Sequence, residues 1–124
     1  MKRTKRLAVL VIGLITVLVA AQEIKDVFGV PVYPGAKPDE ATTKFLNESM
    51  GMEAKAFRTP DPVAKVAAFY KAKGLTEIML AEEGAMYKSG DNVDVTIQSP
   101  WQNMQTGSME KDTLVSIVKH GEVR

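Results

Sequence analysis

The chain carries one histidine, His120, and no cysteine, which bounds the chemistry it can perform. A histidine acting as general base needs a nucleophile and an orienting acid within reach. Nothing in the sequence marks Ser99, Ser108 or Ser116 as that nucleophile, and His120 reads as a solvent-exposed residue close to the C-terminus. A catalytic zinc takes three protein ligands from histidine, cysteine and carboxylates. One imidazole, with no H-E-x-x-H and no cysteine pair, does not supply that set. Acidic pairs occur at Glu82-Glu83 and at Asp91 and Asp94, in turn-like stretches where neighbouring carboxylates form a solvated face. Asp91-Asn92-Val93-Asp94 lacks the spacing, the glycine and the terminal glutamate of a calcium loop. The sequence therefore assigns no catalytic residue and no cofactor.

The main reading is binding chemistry, with an enzyme whose site carries no recognisable motif as the alternative. Met50 and Met52 form a Met-x-Met, with Met104 and Met109 on a second polar stretch. Soft thioethers suit Cu(I), which makes Met50 and Met52 a candidate metal pair. The competing role is filling irregular core gaps, the role expected of Met79 and Met86. Trp101 follows Ser99-Pro100 on a polar segment and offers a large rigid face with one hydrogen-bond donor. With Tyr33 and Tyr70 it makes up the aromatic candidates for ligand or partner contact. The alternative for Trp101 is a lid folded back on an open sheet face.

These residues must be positioned by a small number of elements. Pro34-Gly35 is a turn: proline fixes φ at its second position, and glycine tolerates the positive φ required at the third. From Lys37 to Met52 no clean period emerges, which predicts a loop with one helical turn around Glu40 to Leu46. Glu53–Thr59 reads as a strand with Phe57 on one face and Ala54 and Ala56 on the other. Val63, Val66, Ala67 and Tyr70 then fall at i, i+3, i+4 and i+7, one apolar helical stripe. Thr59 or Asp61 is expected to cap the start of that helix and Gly74 to end it.

The period then shifts towards two in Leu75–Leu80, Ala85–Tyr87, Val93–Gln98 and Thr113–Lys119, with turn chemistry at Glu83-Gly84 and Ser89–Asn92. Short turns imply antiparallel hairpins. Thr113–Lys119 is apolar on both faces, which places it centrally in the sheet. The expected fold is α+β, one main amphipathic helix packed on an antiparallel sheet of about four to five strands.

The first 21 residues are of a different kind. Lys2, Arg3, Lys5 and Arg6 precede an apolar run from Leu7 to Val19, and small residues at Val19 and Ala21 suit cleavage before Gln22. A membrane span needs roughly 20 apolar residues, whereas Leu7 to Ala21 would cover only about 22 Å. The expectation is thus a signal peptide over 1–21 and a single domain over 22–124, periplasmic or secreted. The alternative is an inner-membrane anchor with the leader retained, and a membrane partner enters only in that case. After cleavage twelve Lys and Arg face fifteen Asp and Glu, a net charge of −3 with no basic cluster. Nucleic acid is excluded as a partner because phosphate binding needs clustered cations. A protein or a small molecule remains, of unknown identity.

Tyr33-Pro34-Gly35-Ala36, then Phe57-Arg58-Thr59 leading to Asp61 and the Val66–Lys71 helix, and later Thr113-Leu114-Val115, resemble a group of small exported bacterial proteins of unknown function. The likeness spans Pro31 to Lys119. It implies an α+β domain and carries over no site residue. Some relatives bear a lipid-attachment cysteine that this chain lacks.

Overall fold

A computed structural model describes residues 24–121, so the leader expected over 1–21 lies outside them. A two-stranded hairpin comes first, β1 (Asp26–Val27) and β2 (Val30–Pro31). Next are the short strand β3 (Lys37–Pro38), helix α1 (Glu40–Lys44) and a π-helical turn, Phe45–Ser49. Strand β4 (Glu53–Thr59) leads to the main helix α2 (Val63–Ala72). A meander follows of β5 (Thr76–Ala81), β6 (Gly84–Ser89) and β7 (Val93–Gln98). A small hairpin, β8 (Trp101–Gln102) with β9 (Met109–Glu110), precedes the last strand, β10 (Thr113–Lys119).

Six strands form one antiparallel sheet in the order β3-β4-β10-β7-β6-β5. The α+β class is as expected. The sheet has six strands where four to five were expected, and a second helical segment covers its other face. β10 lies between β4 and β7, as its two apolar faces require. Helix α2 carries the chain from β4 to the far edge at β5. It buries Val63, Val66, Ala67 and Tyr70 against Phe57, Tyr87, Val95, Ile97, Val115 and Ile117. Along the strands these sheet residues are every second one, the period-two pattern of one buried face.

Two details of α2 differ in kind. Its end is as expected: Gly74 has φ +90°, the Leu75 N–H donates to Tyr70 O and the Gly74 N–H to Lys71 O, a Schellman closure with Leu75 packed on the core. Its start is not. The N-cap residue is Pro62, without a side-chain cap, rather than Thr59 or Asp61. Thr59 Oγ1 instead accepts from the Asp61 N–H, and the Asp61 carboxylate accepts from the Tyr33 hydroxyl and pairs with Lys65. The aspartate is committed to holding the β2–β3 turn, where Gly35 has φ +81°. Among the described residues no helix is long and apolar enough to cross a membrane.

Candidate functional site

The second face of the sheet is only partly covered, and a groove forms where the cover stops. On β4 this face presents Ala54, Ala56 and Arg58; on β10, Leu114, Ser116 and Val118. α1 and the π-turn dock here through their polar side chains. Asp39 caps α1, its Oδ2 accepting from Thr42 Oγ1 at 3.0 Å. Thr43 Oγ1 accepts from the Ala56 N–H at 2.9 Å, and Asn47 Oδ1 from the Ala54 N–H at 3.0 Å. These are main-chain donors that the two-residue β3 is too short to reach. Leu46 then packs with Ala56, Leu114 and Trp101 in a small second core.

Trp101 is the pin of the opposite wall. It is only 4% exposed. Its Nε1–H donates to Asp112 Oδ1 at 2.9 Å, and the Arg58 guanidinium lies 5.0 Å from the centre of its ring, a cation–π distance. Arg58 donates to Asp112 through Nε at 2.8 Å and to Glu110 through a terminal nitrogen at 3.2 Å, with Asp39 at 4.0 Å. Burial disfavours the charged form of Asp112, but the bonds from Arg58 and Trp101 outweigh it and hold the carboxyl below its usual range. The hydrogen bond to Asp112 correspondingly raises the Arg58 pKa. The turn beyond Trp101 is closed by Asn103, whose Oδ1 accepts from the Gln105 N–H at 2.9 Å and whose Nδ2 donates to Glu110 Oε2 at 3.0 Å.

Between α1 with its π-turn and this hairpin lies a groove of about 360 Å³. Phe45, Leu46, Trp101, Leu114, Met104 and Met109 supply its apolar lining. Thr42, Ser116, Gln98, Gln102 and Gln105 supply neutral polar groups, and no ionisable side chain lines it. The charged groups nearest Trp101, those of Arg58, Glu110 and Asp112, pair with one another.

The residues singled out from sequence are not gathered into one place. Trp101 lines the groove and is also the lid over Leu114 and Ala56. Tyr70 is fully buried on the α2 face, where its hydroxyl donates to Pro31 O at 2.9 Å and burial raises its pKa. Tyr33 is buried on that same face, edge-on to Phe69 at 5.4 Å, and burial together with Asp61 pushes its pKa up to about 12. Met50 and Met52 follow the π-turn and are 53% and 36% exposed. Among the described residues no group of three or more His, Asp or Glu could hold a metal ion.

His120 is exposed as expected but not idle. Its Nε2 lies 2.6 Å from Asp94 Oδ2, with Lys88 Nζ 3.8 Å from the other carboxylate oxygen, at the end of β10 opposite the groove. Among the described residues no serine hydroxyl bonds to this imidazole. Sequence reasoning missed Phe45, Leu46, Leu114 and the glutamines. The legible trace of them was the apolar second face of Thr113–Lys119, which demanded a cover. Comparisons with protein-family models, with curated proteins and with solved structures return no match.

Proposed function

We propose that the chain is a non-catalytic binding domain of the cell envelope, delivered there by the leader over 1–21, and that its groove takes an uncharged, largely apolar small molecule. The observation that carries this reading is the lining itself. It combines aromatic, aliphatic and thioether surface with neutral hydrogen-bonding groups and contains no charge. Its volume falls at the lower end of the range typical of small-molecule sites, roughly 300–1,000 Å³. A charged ligand entering it would lose hydration without gaining a counter-charge, a loss that burial makes costly. An uncharged one exchanges water for apolar contact and can donate to or accept from the glutamine amides. Met104 and Met109, 58% and 59% exposed, form a deformable rim suited to closing over different shapes.

The test is titration with Nile red, an uncharged apolar dye, read by dye emission and by quenching of Trp101, the single tryptophan. Saturable binding that falls at least tenfold in Met104→Glu/Met109→Glu, with unchanged thermal stability, is expected. Binding that never saturates, or that the double variant leaves intact, sinks the reading. The address has its own measurement, since protein recovered from the envelope should have a denatured mass that begins at Gln22. A mass that includes 1–21 would replace the secreted domain with an anchored one.

A further inference from the structure

The two edges of the six-stranded sheet are finished differently. At one, β3 is two residues long and consists of Lys37 and Pro38, and the adjoining N–H groups of β4 are taken by Thr43 and Asn47. Lysine, proline and covering side chains are the usual means of blunting an edge. At the other, β5 runs for six residues, contains neither lysine nor proline, and pairs only with β6 among the described residues. All six of its residues are exposed, and Ile78, Met79 and Leu80 retain 53%, 50% and 54% of their accessible surface. A bulge interrupts its register with β6 between Glu77 and Met79, after which Met79, Leu80 and Ala81 pair regularly with Met86, Ala85 and Gly84.

We infer that β5 is a homodimer interface, through which two copies of this chain pair antiparallel about a two-fold axis near Met79 and continue the sheet from one copy into the other. Charge selects a second copy as the occupant. β5 is preceded by Lys71 and Lys73 at the end of α2 and followed by Glu82 and Glu83 in the turn to β6, all four exposed. Antiparallel pairing sets the start of each strand against the end of the other, so this basic pair meets the other copy's acidic pair, and two-fold symmetry repeats the match. Parallel pairing would oppose like charges. The main-chain groups of β5 supply the ladder, as in other strand additions. The three exposed apolar side chains of β5 fall well short of the roughly 800 Å² per partner that a standard interface buries, so the dimer is a weak and reversible one. This interface is separate from the groove and does not depend on its ligand.

Sedimentation velocity over a concentration series of the protein as recovered from the envelope tests it. A shift from the monomer towards twice its mass is expected across the micromolar range. Met79→Lys and Leu80→Lys, each at an exposed position, should raise the dissociation constant at least tenfold while leaving thermal stability unchanged. Glu82→Lys/Glu83→Lys should weaken the dimer severalfold, and adding Lys71→Glu/Lys73→Glu should restore it. A monomer at every concentration overturns the inference. So does a dimer indifferent to Met79→Lys, which would point to association through another surface, or a quadruple charge variant that fails to recover.

Discussion

The two faces of the central sheet bury their side chains by different physics. The α2 face is sealed by matched apolar stripes: Tyr70, Val66, Phe57, Ile97 and Ile117 are each at most 1% exposed. The second face is assembled from pieces. A short helix and a hairpin are held to it by side-chain hydrogen bonds and by the cluster of Arg58, Asp112, Glu110 and Asp39, with Leu46, Ala56, Leu114 and Trp101 as a small apolar centre. The second arrangement, unlike the matched stripes of the first, leaves a groove between its pieces. On the proposed reading stability and binding are thereby divided between the faces, because a packed core resists any change of volume and a pinned cover tolerates one.

The largest expected effect lies on the sealed face. Phe57→Ala should cost about 3–5 kcal/mol in denaturant unfolding, the loss of transfer energy plus a cavity that the strands cannot close. Leu114→Ala on the second face should cost about 2 kcal/mol, at the low end for such a change, because the space created joins the groove and is hydrated. Equal costs would mean that the two faces are packed alike.

The faces should also respond to opposite ends of the pH scale. Asp112 has a lowered pKa in the fold, so its contribution is complete above the ordinary carboxylate range and is lost as pH falls through its folded value. Acid should therefore loosen the Trp101 hairpin first, seen as a change in Trp101 emission ahead of the loss of far-ultraviolet dichroism, and Asp112→Asn should abolish that early step. Tyr33 and Tyr87 are raised to about 12, by burial first and then by Asp61 and Glu77. Their contribution is complete below the ordinary tyrosine value near 10 and is lost as pH rises towards 12. Absorbance at 295 nm should show tyrosines ionising only as the α2 face unfolds. Early ionisation at pH 10 would contradict the burial of those hydroxyls. The smallest effect is expected at the rim, where Met104→Glu should change stability by less than about 0.5 kcal/mol while weakening dye binding.

Much of the fold was legible because its signals are local. Val63, Val66, Ala67 and Tyr70 announce a helix by spacing, Val93, Val95 and Ile97 announce a half-buried strand, and Gly74 marks a helix end, each within a few residues. The apolar second face of Thr113–Lys119 disclosed that β10 is central. The stretch from Lys37 to Met52 was harder, because α1 and the π-turn bury little of their own. Thr43 and Asn47 are polar residues whose partners, the Ala56 and Ala54 amides, lie 13 and 7 residues further along the chain. The polar segment after Gln98 concealed a hairpin for the same reason, since its organisation depends on Asn103, Glu110 and an arginine on β4.

By itself, then, the sequence determined the α+β class, the main helix, the five longer strands and the exclusion of thiol chemistry, because periodicity and composition act through near neighbours and through residues that are present or missing. Only the tertiary structure decided that Tyr33 and Tyr70 belong to one face and Trp101 to the other, that Arg58 is spent on acids up to 54 residues away, and that a groove without charges lies beside it. Those facts depend on which strands become neighbours. Pairing β10 between β4 and β7 joins distant segments through the burial of the whole sheet, and no short stretch of residues encodes that sum.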